Sequence, residues 1–335
     1  MTTRIAINGF GRIGRNILRA LHEQGRQDME VVAINDLSST ENLAHLLKYD
    51  SVHGRFPGAI SVTDNMIDIG QGPIDVTATR DLSDLNWADH DVDIVMECTG
   101  LFTARDAATK HLDAGAKRVL ISAPGKNADK TIVYGVNHDV LTKDDVIVSN
   151  GSCTTNALAP VAKVLHDNFG IESGFMTTVH SYTGDQPTLD GVHRKDFNRG
   201  RAAALSMIPT STGAAKAIGL VMPELDGKLD GKAIRVPTPN VSAVDLVVNV
   251  GTATDVDAVN AAFRSAADAL TGVLAVSDDL TVSSDFNHDP HSSTLMTTET
   301  MVPTPNMVRI LSWYDNEWGF SCRMLDTASV MAKLI

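Results

Sequence analysis

The stretch Arg4-Ile-Ala-Ile-Asn8-Gly9-Phe10-Gly11-Arg12-Ile13-Gly14 decides the fold of this chain. Arg4 to Asn8 reads as a short buried strand, and a helical pattern follows through Ile17, Leu18 and Leu21. Between them lies G-x-G-x-x-G, a weak signal alone that gains force from its place between strand and helix. Gly9 suits a tight turn, Gly11 lets a pyrophosphate approach the backbone, and Gly14 lets helix and strand touch. The free N–H groups at the start of such a helix attract phosphate. A second apolar run, Glu30 to Ile34, ends in Asn35-Asp36, placing a carboxylate 22 residues beyond Gly14. There Asp36 would bond a ribose 2′-hydroxyl and repel a 2′-phosphate, which selects NAD over NADP. The alternative for Asp36 is a solvated turn residue.

Further strands are expected at Val92–Met96, Lys117–Ile121 and Asp145–Ser149, with a helix over Ala104–Ala114. Strands alternating with helices imply an α/β fold with a Rossmann-like, doubly wound parallel sheet. Ligands of such sheets bind at the carboxyl ends of strands, which makes Arg80, Thr99 and Ser122 candidates for the cofactor side. Cys98 reads as a small filler at a strand end.

Ser149-Asn-Gly-Ser152-Cys153-Thr154-Thr-Asn156 puts a cysteine at the mouth of a helix continuing through Ala157–Leu165. Thr177-Thr-Val-His180 brings a histidine 27 residues later. A thiol at a helix N-terminus beside an imidazole is expected to be a low-pKa nucleophile, with His180 as its base. A buried core cysteine is the plain alternative, but the hydroxyl-rich flanks are more than a core requires. Beyond the Phe175–His180 strand, residues 181–207 read as a long surface or subunit-contact loop. Ile208-Pro-Thr210-Ser-Thr212-Gly213 reads as a hydroxyl-rich turn before a short helix, fit to cap that helix or to meet a phosphate. Strands at Ala233–Arg235 and Val241–Val250 suggest an α+β catalytic domain with a mostly antiparallel sheet. Residues 1–151 are thus expected to form the NAD-binding domain, 152–317 the catalytic domain and 318–335 a terminal helix. His288-Asp-Pro-His291 lacks the spacing that orients metal ligands, so no metal is expected.

The chain has 335 residues, 43% of them hydrophobic and 21% charged, enough for two cored domains. Three scattered cysteines exclude a disulfide framework or zinc site. The N-terminus enters a strand directly, and no apolar run approaches the ~18 residues of a membrane span, so a cytoplasmic location is expected. A net charge of −13 disfavours nucleic acid as the main ligand but not a small anionic metabolite.

From Ile5–Arg15 to Trp313–Phe320 the chain resembles the phosphorylating glyceraldehyde-3-phosphate dehydrogenases. Ser-Cys-Thr-Thr-Asn at 152–156 and Pro-Thr-Ser-Thr-Gly-Ala-Ala-Lys at 209–216 are specific together. The resemblance implies D-glyceraldehyde 3-phosphate and inorganic phosphate as substrates, NAD as cofactor and a homotetramer. It makes Cys153 the nucleophile and His180 the base. It places Arg12 and Ile13 along the pyrophosphate, Asp36 on the adenosine ribose, Arg80 and Ser122 near the cofactor, and Asn316 on the nicotinamide carboxamide. Thr183 and Arg235, with Asp185 and Lys195, are implied to hold the substrate phosphate. Ser152, Thr154, Arg199, Thr212 and Gly213 are implied to hold the attacking phosphate. The terminal helix is implied to return to the cofactor domain. Gly151 replaces the usual Ala, and Gly191-Val192 stands where NAD-specific relatives often carry Leu-Pro. Two rival readings are an erythrose-4-phosphate dehydrogenase, which the intact Thr210–Gly213 turn disfavours, and a non-catalytic NAD-binding or adhesion protein, which the retained Cys153 and His180 disfavour.

Overall fold

In the computed structural model, which describes residues 2–193 and 196–335, the chain divides into two compact units. One comprises residues up to Ile132 with His138–Gly151 and Ser321–Ile335; the other comprises Val133–Asn137 and Ser152–Phe320.

The first unit is built on a nine-stranded sheet. Thr3–Asn8 lies between Met29–Asn35 and Ile94–Glu97, parallel to both. Parallel pairing continues through Arg118–Ile121, Ile147–Ser149 and Lys130–Thr131 on one side and Pro73–Thr77 on the other. The hairpin of Ser61–Thr63 and Met66–Asp68 adds an antiparallel edge. Strands covered on both faces need near-continuous apolar sequence, and Ile5, Ala6, Ile7, Val119, Leu120 and Ile121 are fully buried. This is the parallel α/β sheet the alternating pattern predicts, though Ile147–Ser149 starts two residues later than expected.

Two glycines of the first turn are sterically required. At Gly9, φ is +93° and a Cβ would lie 2.7 Å from the Thr99 backbone nitrogen; at Gly14 it would strike the Gly9 carbonyl oxygen. Gly11 caps the Arg12–Glu23 helix without a side-chain bond and faces open space. That helix buries Ile17, Leu18 and Leu21, and also Arg19, whose guanidinium donates to the carbonyls of Leu47 (2.9 Å) and Gly54 (3.0 Å). Arg19 thereby holds the small hairpin of Tyr49–Asp50 and Gly54–Arg55.

The terminal helix is Trp318–Ala332, ending three residues before the expected 335. Its part from Ser321 packs in the first unit, burying Met324, Leu325, Ala328 and Met331. Arg26 ties it to Asp326 (2.8 Å), and Thr327 donates to Asn150 (2.7 Å).

The second unit holds an eight-stranded sheet, ordered Ile208–Ser211, Leu229–Val236, Ile171–Ser181, Ser242–Val250, Met307–Tyr314, Ser293–Met296 and Leu274–Ser277, with Met301–Thr304 beside Met307–Tyr314. Pairing is mostly antiparallel, as expected. Ile171–Ser181 with Leu229–Val236 and Leu274–Ser277 with Ser293–Met296 are parallel. Cys153–Phe169 is a largely buried helix whose Leu158, Val161, Ala162 and Leu165 have no exposure. One expectation is corrected: Ile208–Ser211 is not part of a turn but an edge strand paired with Leu229–Val236. Its residues alternate buried and exposed, and the pairing satisfies backbone that a free turn would leave to water.

Asp50 anchors the small hairpin. Burial pushes its carboxyl up, but the His53 and Val52 N–H groups and the Arg12 guanidinium outweigh this and hold it at about 2, against 3.8 when free. A depressed carboxylate stabilises the fold fully above the free value and loses that contribution as pH falls through the folded one. Urea unfolding is therefore expected to show wild type more stable than Asp50→Asn at neutral pH, with the gap closing between about pH 3.8 and 2. A gap independent of pH would contradict this.

Candidate active site

Cys153 opens its 17-residue helix, and the Ser152 hydroxyl caps it by accepting the Thr155 N–H at 3.0 Å. The sulfur faces His180 Nε2 at 3.5 Å. His180, near the end of the Ile171–Ser181 strand, is buried, and its Nδ1 lies 2.7 Å from the Ser181 carbonyl oxygen. A carbonyl only accepts, so Nδ1 carries the proton and Nε2 turns its lone pair to the sulfur. Tyr314 stands edge-on to the imidazole at 6.0 Å, its hydroxyl bonded to Thr154 (2.9 Å) and Thr178 (3.0 Å).

Burial pushes the His180 imidazole down to about 4, and Arg235 acts in the same direction. Burial also pushes the Cys153 thiol up, against the opposing pull of Thr154 and Arg235. Burial therefore works against the low-pKa thiolate expected from the sequence, while Thr154 and Arg235 favour it. A helix dipole is worth ~0.3–1 kcal/mol, less than the cost of burying a bare charge.

Arg235 comes from the neighbouring Leu229–Val236 strand, with Thr178 to Ser181 registered against Ala233 to Val236. Its Nη1 donates to Thr183 (2.6 Å) and Gln186 (2.9 Å), and Asp185 lies 3.9 Å away. Asp185 also binds Arg199 at 2.9 Å. Burial pushes the Asp185 carboxyl up, but Thr183, Arg235 and Arg199 hold it below its ordinary value. Among the described residues, Arg235 Nε and the Thr210 hydroxyl are buried without a hydrogen-bond partner. Donors orphaned beside a partly neutralised arginine cluster suit a phosphate oxygen. Thr212 accepts the Ala214 N–H at 3.2 Å, and Gly213 begins the Ala214–Val221 helix with no side-chain cap. The structure thus gathers Thr183, Asp185, Arg199 and Arg235. Ser152 is engaged as a cap, and the Thr154 hydroxyl is buried on Tyr314. Lys195 lies outside the described residues.

Asn316 is buried, and its Oδ1 accepts both the Ser181 (2.9 Å) and Ser242 (2.8 Å) hydroxyls. Nothing in the sequence pointed to Ser181, Ser242, Gln186 or Tyr314, because each acts through a contact between distant strands or loops.

In the first unit a cleft of about 320 Å³ opens over the strand ends, lined by Gly9, Gly11, Asp36, Arg80 and Thr99 among others. Asp36 accepts the Phe10 N–H (2.8 Å) and the Ser38 N–H (3.1 Å), so it holds the glycine turn as well as facing the cleft. The tight turn at Gly9 and the open space at Gly11 fit a pyrophosphate. Arg12 pairs with Asp50; it, Ile13, Gly14 and Ser122 do not line the cleft. Asn8 and Asn35 do, and were missed; the sign was a polar residue ending an apolar strand.

His288 stacks on Trp318 at 3.5 Å, and His291 Nδ1 lies 2.6 Å from Asp289 Oδ1. No helix among the described residues is long and apolar enough to cross a membrane.

Residues 3–105 match the family model for the NAD binding domain of glyceraldehyde 3-phosphate dehydrogenase, and residues 152–316 match its C-terminal domain. The chain is 65% identical to a glyceraldehyde-3-phosphate dehydrogenase of Cereibacter sphaeroides and 62% identical to one of Xanthobacter flavus, covering all of both chains. It is 55% identical to the Geobacillus stearothermophilus enzyme over 99% of each.

Asp36→Ala is expected to raise the KM for NAD about tenfold, the cost of one lost charged hydrogen bond, and to raise the NADP-to-NAD ratio of kcat/KM. Steady-state kinetics with both cofactors checks this. An unchanged ratio would place selectivity elsewhere.

Proposed function

The chain belongs to the glyceraldehyde-3-phosphate dehydrogenase family and is an NAD-dependent phosphorylating aldehyde dehydrogenase, and we propose that it converts D-glyceraldehyde 3-phosphate to 1,3-bisphosphoglycerate through a thioester on Cys153. The carrying observation is the Nε2 lone pair of His180 directed at the Cys153 sulfur.

As sulfur attacks the aldehyde carbon, its proton passes to Nε2, and the imidazolium returns it to the new oxygen to complete a hemithioacetal. His180 then removes that hydroxyl proton as the carbon loses hydride, leaving a thioester. NAD, when bound, supplies the hydride acceptor. The Cys153 N–H and the imidazolium are the donors for negative charge on oxygen. An oxygen of inorganic phosphate next attacks the thioester carbonyl, and sulfur leaves with the electron pair to take back its proton. General-base help of this kind is worth about 10²–10⁴-fold.

Arg235 and Thr183, positioned by Asp185, would hold the substrate's phosphate; the orphaned Arg235 Nε supports this. Arg199, Thr212 and Gly213, with Ser152 and Thr154, would hold the attacking phosphate, and Lys195 would add positive charge to the first site. Gly9, Gly11, Arg12, Ile13, Gly14, Asp36, Arg80, Thr99 and Ser122 would serve NAD, and Asn316 its carboxamide. A cytoplasmic homotetramer completes the proposal. A single copy leaves Leu189, Val192, Phe197, Leu205 and Met207 exposed in the 181–207 segment, apolar surface that subunit contacts would cover.

With D-glyceraldehyde 3-phosphate and NAD, sustained NADH production is expected only when phosphate or arsenate is present. Equal turnover without either would show hydrolysis of the thioester and overturn the phosphorylating reading.

A further inference from the structure

A buried polar chain lies beneath the first-unit cleft. The Trp87 indole N–H, which can only donate, points to His111 Nδ1 at 3.1 Å. His111 Nε2 therefore carries the proton and donates to Glu97 Oε2 at 3.0 Å. Glu97 and His111 are 1% and 0% exposed. The same Glu97 oxygen accepts from Asn8 Nδ2 at 2.5 Å, while Oε1 accepts the Thr99 N–H at 2.8 Å and the Thr99 hydroxyl. That hydroxyl accepts the Leu101 N–H at 3.1 Å, which commits its own proton to Glu97. From Asn8 the chain runs on: Asn35 Nδ2 donates to Asn8 Oδ1 and to the Thr79 carbonyl, each at 2.8 Å, and Asn35 Oδ1 accepts the Thr79 N–H at 2.8 Å. Asn8, Asn35, Thr79 and Thr99 all line the cleft; Glu97 and His111 do not.

We propose that Glu97 is a positioning residue for the dinucleotide, one carboxylate that fixes the wall of the cleft at three strand ends, with His111 and Trp87 holding it in turn. Four donors converge on its two oxygens, an arrangement that a carboxylate satisfies and an amide does not. Replacing it by an amide turns one acceptor into a donor facing Asn8 or Thr99, whose groups are also donors. The wall must then shift, while the sheet beneath keeps its apolar packing. The inference rests on the reading that this cleft takes NAD.

Calorimetric titration of the intact enzyme with NAD tests it. Glu97→Gln is expected to weaken NAD binding about 10- to 100-fold, the scale of leaving buried polar groups unsatisfied. KM for NAD should rise with it, while kcat at saturating NAD stays within about threefold of wild type. His111→Gln keeps an N–H near the Nε2 position and should bind NAD nearly as wild type does. His111→Leu lacks that donor and should weaken binding. This pair decides the matter if Glu97→Gln fails to fold. An unchanged dissociation constant in folded Glu97→Gln, or equal losses in His111→Gln and His111→Leu, overturns the proposal. Binding weakened by Asp36→Ala but not by Glu97→Gln would sink this inference alone; binding indifferent to both would sink the cleft reading itself.

Discussion

The chemistry depends on the orientation of one imidazole. The Ser181 carbonyl fixes the His180 proton on Nδ1, which leaves Nε2 as a base facing sulfur. The opposite tautomer would present a proton to the thiol and could not accept one. Backbone sets this choice, and the carbonyl belongs to the residue next to the histidine, so the strand that carries the base also holds its tautomer.

Burial gives the pair its second property. A desolvated site penalises a lone thiolate and a lone imidazolium alike. Arg235, registered beside His180, helps on both counts: it opposes an imidazolium, and it favours negative charge at the sulfur. The helix N-terminus at Cys153 contributes backbone N–H groups to the same end.

Much of this was legible in the residues. The glycine spacing and the apolar strands gave the parallel sheet because each local choice there agrees with the global fold. Cys153 and His180 stood out because polar flanks interrupt otherwise apolar elements. Three things could not be read. The protonation state of the thiol depends on desolvation, which sequence neighbours do not report. Ile208–Ser211 became an edge strand because Leu229–Val236 offers it a partner, a long-range pairing that overrides its turn-like composition. The serines that orient Asn316 and the donors that surround Glu97 converge across strands, and their spacing along the chain, 61 residues from Ser181 to Ser242 and 89 from Asn8 to Glu97, carries no periodic signal.

Mapping the acyl group tests the central claim most directly. The enzyme is mixed with D-glyceraldehyde 3-phosphate and NAD without phosphate, quenched in acid and digested, and the peptides are weighed. One phosphoglyceroyl group per chain on the Cys153 peptide, formed in step with the first equivalent of NADH, is the predicted result. NADH formed with no acyl group on the chain, or an acyl group on Cys98 or Cys322 instead, would contradict the account.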